Sequence, residues 1–148
     1  MSGFRASALV VAASVLVLAR PAPTEAGEGY VVVVNQANPV HRMSRADLSK
    51  LFLKRTATWP GGAAAVPYDL SGASSTRKAF TQGVHGKPLW VVVAFWQQEI
   101  ASGRTRPPAV CATEKAALQA VSGDPGAVGY VSESLTLSPG VKVLTLEP

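Results

Sequence analysis

Four hydroxyls, Ser71, Ser74, Ser75 and Thr76, stand within six residues, with Asp69 just before them and Arg77 and Lys78 just after. The segment joins an apolar run to a helical pattern, so the hydroxyls gather at a helix start. Unpaired backbone N–H groups and the positive end of the helix dipole make such a start attractive to an oxyanion. Hydroxyls add donors without adding charge. Helices favour acids in their first turn, yet here Arg77 and Lys78 occupy it, and a bound anion would offset that unfavourable placement. Ser71, Ser74, Ser75, Thr76 and Arg77 are therefore the candidate ligand-binding residues that this chemistry selects. An ordinary alternative stays open, in which Ser74 or Ser75 is an N-cap and the rest is polar loop.

Other chemistry finds less support. Asp69, Ser71 and His85 include the residue types of a hydrolase triad, but no Gly-x-Ser-x-Gly elbow accompanies them. No catalytic residue is assigned, and the chain reads as a non-enzyme. Cys111, His41 and His85 are the soft ligands present, too few and too scattered for a metal site. No cofactor is implied. The basic residues Arg42, Arg45, Lys50, Lys54 and Arg55 read as a solvated helix face, and Arg104 and Arg106 as loop cations. Trp59, Trp90 and Trp96 read as core or rim packing.

The elements that position the hydroxyl segment can be read from its flanks. Tyr30 to Val34 is a β-branched run, expected as a strand covered on both faces. Ser44 followed by Asp47 predicts a helix over Arg45 to Leu53, with the Asp47 carboxylate reaching back to the Ser44 N–H. Met43 and Leu48 make its hydrophobic staple, and Leu48, Leu51 and Phe52 its apolar face. A short strand is expected over Ala63 to Tyr68 and a helix over Thr76 to Val84, stopped by Gly86. Leu89, Val92, Val93, Trp96 and Ile100 recur at helical spacing, so Leu89 to Ile100 reads as a helix despite its valines. Thr113 caps a helix bearing Ala117, Leu118 and Val121. Ala127 to Val131 and Val141 to Leu146 read as closing strands. Strands alternating with helices predict one α/β layer domain.

The N-terminus addresses the chain. Arg5, the apolar run Ala6 to Ala19 and the Thr24-Glu25-Ala26 site read as a signal peptide over residues 1–26, cut before Gly27. The alternative is a retained membrane anchor, but the run is short for a spanning helix, so no stable membrane span is expected after cleavage. Residues 27–148 form one domain, periplasmic or secreted. The formal charge of +5 is compatible with small anions. Nucleic acid is a poor partner for an exported chain without aromatic–basic interleaving. A single cysteine cannot form an internal disulfide, so the core must hold the fold.

Several segments resemble phosphate-binding proteins that serve ABC transporters. Leu48-Ser49-Lys50-Leu51-Phe52-Leu53-Lys54-Arg55 followed by Trp59 is similar to that family's L-x-x-I-F-L-G-K-x-T-x-W segment, and Gly126-Ala127-Val128-Gly129-Tyr130-Val131 to its G-A-I-G-Y-V strand. Val32 to Asn35 with Asn38-Pro39, and Trp96 with Gly103 and Pro107-Pro108, resemble its short, single-lobe members. The likeness runs from about Val31 to Val131. It implies an α/β fold, a single periplasmic-binding-protein-like lobe with a mixed central sheet flanked by helices, with phosphate or a similar oxyanion as ligand and a transporter or other envelope protein as partner. The family's R-x-D-G-S-G-T phosphate loop falls on Tyr68 to Thr76, with Phe80 four residues on, and the resemblance adds Asp69 to Ser74, Ser75 and Thr76 as a candidate ligand-binding residue. Tyr68 stands near the place of the family's arginine, and the Asp-to-Thr spacing is longer. The resemblance thus implies weak capture rather than tight. A second possibility is an exported protein-interaction module whose ligand site has degenerated.

Overall fold

The run of valines after Tyr30 becomes the middle of a sheet. In the computed structural model, which describes residues 29–148, strand β1 (Tyr30–Asn35) buries Val32, Val33 and Val34 completely. It runs antiparallel to both neighbours, β5 (Ala127–Ser132) and β6 (Val141–Val143). On the far side of β5, strands β3 (Val66–Leu70) and β4 (Ala109–Cys111) continue the sheet in parallel, giving the order β4-β3-β5-β1-β6. This is the expected mixed sheet. The expected signal peptide, residues 1–26, lies outside the described residues. Among the described residues no helix is long and apolar enough to cross a membrane.

Two expected strands differ in detail. The strand expected over Ala63 to Tyr68 runs instead over Val66–Leu70, and Pro67 lies before the pairing with β4 starts at Tyr68, so its missing N–H costs no ladder bond there. The last expected strand is split. Val143 ends β6, the Leu144 N–H turns inward to the Val32 carbonyl at 2.8 Å, and β7 (Thr145–Glu147) pairs in parallel with β2 (Arg42–Ser44) as a separate ribbon.

Helix α1 (Arg45–Phe52) follows its local signals. The Ser44 Oγ accepts the Asp47 N–H at 3.1 Å, and Leu48, Leu51 and Phe52 are buried. The Asp47 carboxylate, however, takes the Ser44 hydroxyl at 2.9 Å and not the Ser44 N–H. Aspartate is one methylene shorter than the glutamate that closes a capping box. Helix α2 (Ser75–Phe80) is shorter than expected, because Thr81–His85 widens into a π turn. A Cβ on Gly83 would meet the Tyr30 ring, so the wide turn passes beneath Tyr30 at a residue without a side chain. Gly86 then ends the element in the left-handed conformation, φ 64°. Helix α3 (Leu89–Ala101) forms where the spacing predicts it, but of the expected apolar stripe only Val92 and Trp96 are buried. Helix α4 (Glu114–Gly123) is capped by Thr113 and buries Ala117, Leu118 and Val121.

Aromatic rings join the α1–α2 layer to the sheet. Phe80 stacks on Tyr130 with ring centroids 3.8 Å apart and planes 4° apart, and Phe52 leans on Phe80 at 4.7 Å. Trp59 is buried, and its Nε1–H donates to the Gly126 carbonyl at 2.9 Å. That same carbonyl receives the Val66 N–H at 2.9 Å, bringing two backbones together at Gly126. A Cβ there would lie 2.3 Å from the Ala64 carbonyl oxygen. Backbone cannot rotate away as a side chain can, so Gly126→Ala is expected to destabilise by about 1–3 kcal/mol. Thermal unfolding followed by circular dichroism should show a midpoint roughly 5–10 °C lower; an unchanged midpoint would mean that the turn yields without strain.

Candidate functional site

Strands β3 and β5 are parallel, so their C-terminal ends open on the same edge of the sheet, where ligands of open α/β sheets bind. From that edge the chain enters α2 through Ser71–Ser74, and from β4 it enters α4 through Ala112 and Thr113. The two helix starts and the exit of β5 surround a cavity of about 630 Å³. Its wall includes Ser71, Ser74, Ser75 and Thr76 from the α2 entry, Thr113 and Glu114 from the α4 entry, and Ser132, Glu133 and Ser134 after β5.

The hydroxyls are held by local structure. The Ser74 N–H donates to the Ser71 carbonyl at 2.9 Å, closing the turn. The Ser74 Oγ accepts the Arg77 N–H at 3.1 Å as the N-cap of α2, and the Ser71 Oγ accepts the Ala73 N–H at 3.3 Å. A hydroxyl that accepts still has its proton to donate. Thr76 is buried, and its hydroxyl donates to Glu114 Oε1 at 2.5 Å. The Ser132 N–H reaches that same oxygen at 3.1 Å. Beside them the Ser132 and Ser134 hydroxyls lie 2.9 Å apart.

Asp69 and Arg77 stand behind this wall rather than in it. The guanidinium turns inward, with Nη1 donating to the Leu70 carbonyl at 2.8 Å and Nη2 lying 3.1 Å from Asp69 Oδ2. Asp69 Oδ1 accepts the Tyr130 hydroxyl and the Leu70 N–H, the latter at 2.9 Å. Burial lifts the Asp69 carboxyl above the usual carboxylate range, against the pull of Arg77, Tyr130 and the Leu70 N–H. Burial, then the Asp69 charge and its hydrogen bond, drives the Tyr130 phenol upward. These three residues tie α2 to β3 and β5 and so fix the hydroxyl loop.

Sequence reasoning thus found the α2 half of the cavity and missed Thr113, Glu114, Ser132, Glu133 and Ser134. Thr113 was legible as a helix cap, which put Glu114 at a helix start. Nothing local brings that start beside Thr76. The triad residue types are dispersed: Asp69 is held by Arg77 and Tyr130, Ser71 borders the cavity, and His85 Nδ1 pairs with the Ser49 hydroxyl at 2.7 Å. Among the described residues no three His, Cys, Asp or Glu cluster as metal ligands would.

No protein-family model matches the sequence, and no curated protein matches it either. Solved structures do. A chain assigned to phosphate ABC transport as a substrate-binding protein, from Clostridium perfringens and solved with bound phosphate, superimposes with a TM-score of 0.62 at 20% identity, over 80% of this chain and 44% of that one. An ABC-type phosphate transport receptor from Vibrio cholerae gives 0.62 at 20% identity, over 80% and 46%. PstS from Borrelia burgdorferi gives 0.59 at 11% identity, over 79% and 46%. The fold is that of one lobe of such a binding protein. This chain spans less than half the length of the phosphate-binding structures it matches.

Proposed function

We propose that the protein is an exported, non-catalytic binding protein that takes phosphate or a similar small oxyanion weakly, at the cavity bordered by Ser71, Ser74, Ser75 and Thr76. The observation that carries this reading is the hydroxyl-lined cavity at the C-terminal edge of β3 and β5, on a fold shared with a protein solved with phosphate bound. In this reading the hydroxyls donate to the ligand, while Asp69 and Arg77 hold the loop that presents them. Weak capture follows from the charges. Among the described residues lining the cavity none is cationic, and two, Glu114 and Glu133, are acidic. Charge-assisted bonds from arginine or lysine, the strong ones for phosphate, are missing from that wall. An envelope transporter is the partner that suits such a protein.

Calorimetric titration of the full chain with phosphate at low salt, with sulfate as the comparison, tests this. The expected result is saturable heat with a dissociation constant of about 0.1–1 mM, or roughly 4–5.5 kcal/mol. Ser75→Ala with Thr76→Ala should abolish it. Absence of heat up to several millimolar would remove the binding role.

One observation favours the second reading, an exported interaction module. Helix α3 leaves Trp90 72%, Ile100 57% and Val93 38% exposed, an apolar strip such as contact surfaces carry. If phosphate produces no heat while a Trp90→Ala change weakens association with an envelope protein, this reading replaces the first.

A further inference from the structure

We infer that Glu114 is an internal competitor for the oxyanion site, its carboxylate holding the donors that an incoming anion would need. The inference rests on the oxyanion reading of the cavity and adds to it what sets the affinity. Thr76 on α2 and Ser132 at the end of β5 each aim a proton at Glu114 Oε1, the hydroxyl at 2.5 Å and the amide at 3.1 Å. One carboxylate oxygen thus collects an O–H and an N–H from two separate elements, on the wall of the cavity itself. A phosphate oxygen could be received by the same pair in the same way. Glu114 is the first residue of α4, where the helix dipole favours a negative charge, so the competitor is held in place from its own side as well.

Binding therefore has two opponents. The anion must displace a charge-assisted pair of hydrogen bonds, and it must lie near the charge that it displaces. Glu133 also lines the cavity but receives neither the Thr76 nor the Ser132 proton. The two glutamates consequently separate simple repulsion from occupation of the donors. Glu114→Gln keeps shape and accepting oxygen while removing the charge, and neutral acceptors hold donors about half as strongly. Glu114→Asp keeps the charge but draws the carboxylate back by one methylene. Glu133→Gln removes an equal charge from the same cavity and leaves the donors engaged.

The test is calorimetric titration of inorganic phosphate into the full-chain wild type and these three variants at matched ionic strength. Circular dichroism and thermal midpoints establish that each is folded. Glu114→Gln is expected to tighten phosphate binding at least about tenfold, Glu114→Asp severalfold, and Glu133→Gln by less than about threefold. Binding by Glu114→Gln where the wild type gives no measurable heat would uphold the competitor role while removing the binding role from the wild-type protein. Wild-type binding that Glu114→Gln and Glu114→Asp leave unchanged or weaken overturns the competitor role and leaves the oxyanion reading standing. Equal gains from Glu114→Gln and Glu133→Gln reduce the effect to bulk charge and overturn it too. If no variant binds phosphate, the oxyanion reading and this inference fall together. Should Glu114→Gln not fold, the Glu114→Asp and Glu133→Gln comparison decides by the same criteria.

Discussion

Arg77→Ala is expected to lower the unfolding free energy by about 3–5 kcal/mol, as removal of one partner from a buried ion pair does. The change would leave the Asp69 carboxylate buried beside Tyr130 with its cation gone, and the Leu70 carbonyl without the Nη1 donor now at 2.8 Å. Both Arg77 and Asp69 keep only 11% of their side-chain surface exposed, so water cannot replace the lost partner. Urea unfolding at neutral pH measures the effect. The double change Asp69→Asn with Arg77→Met should recover a large part of the loss, because no uncompensated charge remains. A loss below about 1 kcal/mol for Arg77→Ala would mean that the pair behaves as an exposed one and that the loop is held by other contacts.

His85 is expected to make the fold acid-sensitive. Burial, with the nearby Arg77 charge, lowers the imidazole to about 4 from its ordinary 6.5. The neutral ring packs edge-on against Phe80 at 5.7 Å and pairs with the Ser49 hydroxyl. Because the unfolded chain takes up this proton first, stability is full above about pH 6.5 and declines as the pH falls toward 4. A shift of this size corresponds to about 2–3 kcal/mol lost by pH 4.5. Carboxylates titrate in part of the same range, so the comparison is with His85→Gln, in which this component should vanish. Urea midpoints at pH 7 and 4.5 for both proteins decide it. Parallel losses in the two would show that the ring carries no such linkage.

What could be read from residues alone was what neighbouring residues settle. Ser44 with Asp47, Thr113, and the spacing of Leu48, Leu51 and Phe52 mark helices because caps and faces are local. The valines of β1 mark a covered strand for the same reason. The π turn at Thr81–His85 lies under Tyr30 at Gly83, and the break at Leu144 goes with a hydrogen bond to the Val32 carbonyl, both partners distant in sequence. The site divides along the same line. Ser71 to Thr76 were visible because a helix start advertises itself, whereas Glu114 lies 38 residues from Thr76 and reaches it through the order of the strands. From sequence, Arg77 reads as a ligand donor because a bound anion would offset a cation at a helix start. Its direction is set by Asp69 and the Leu70 carbonyl, with Asp69 itself held by Tyr130 from β5.

The sheet order bears on how the molecule forms. β1 is the first strand of the described chain, and both strands beside it, Ala127–Ser132 and Val141–Val143, come from the last part. Until those segments are available, the most apolar strand of the protein has no partner on either edge. Pairing across such separations requires closing long loops, which slows folding and raises contact order. An unpaired run of valines is also a segment prone to self-association while it waits. Pairing of β1 thus waits on strands from the far end of the chain, and folding speed should be sensitive to substitutions in β5 and β6.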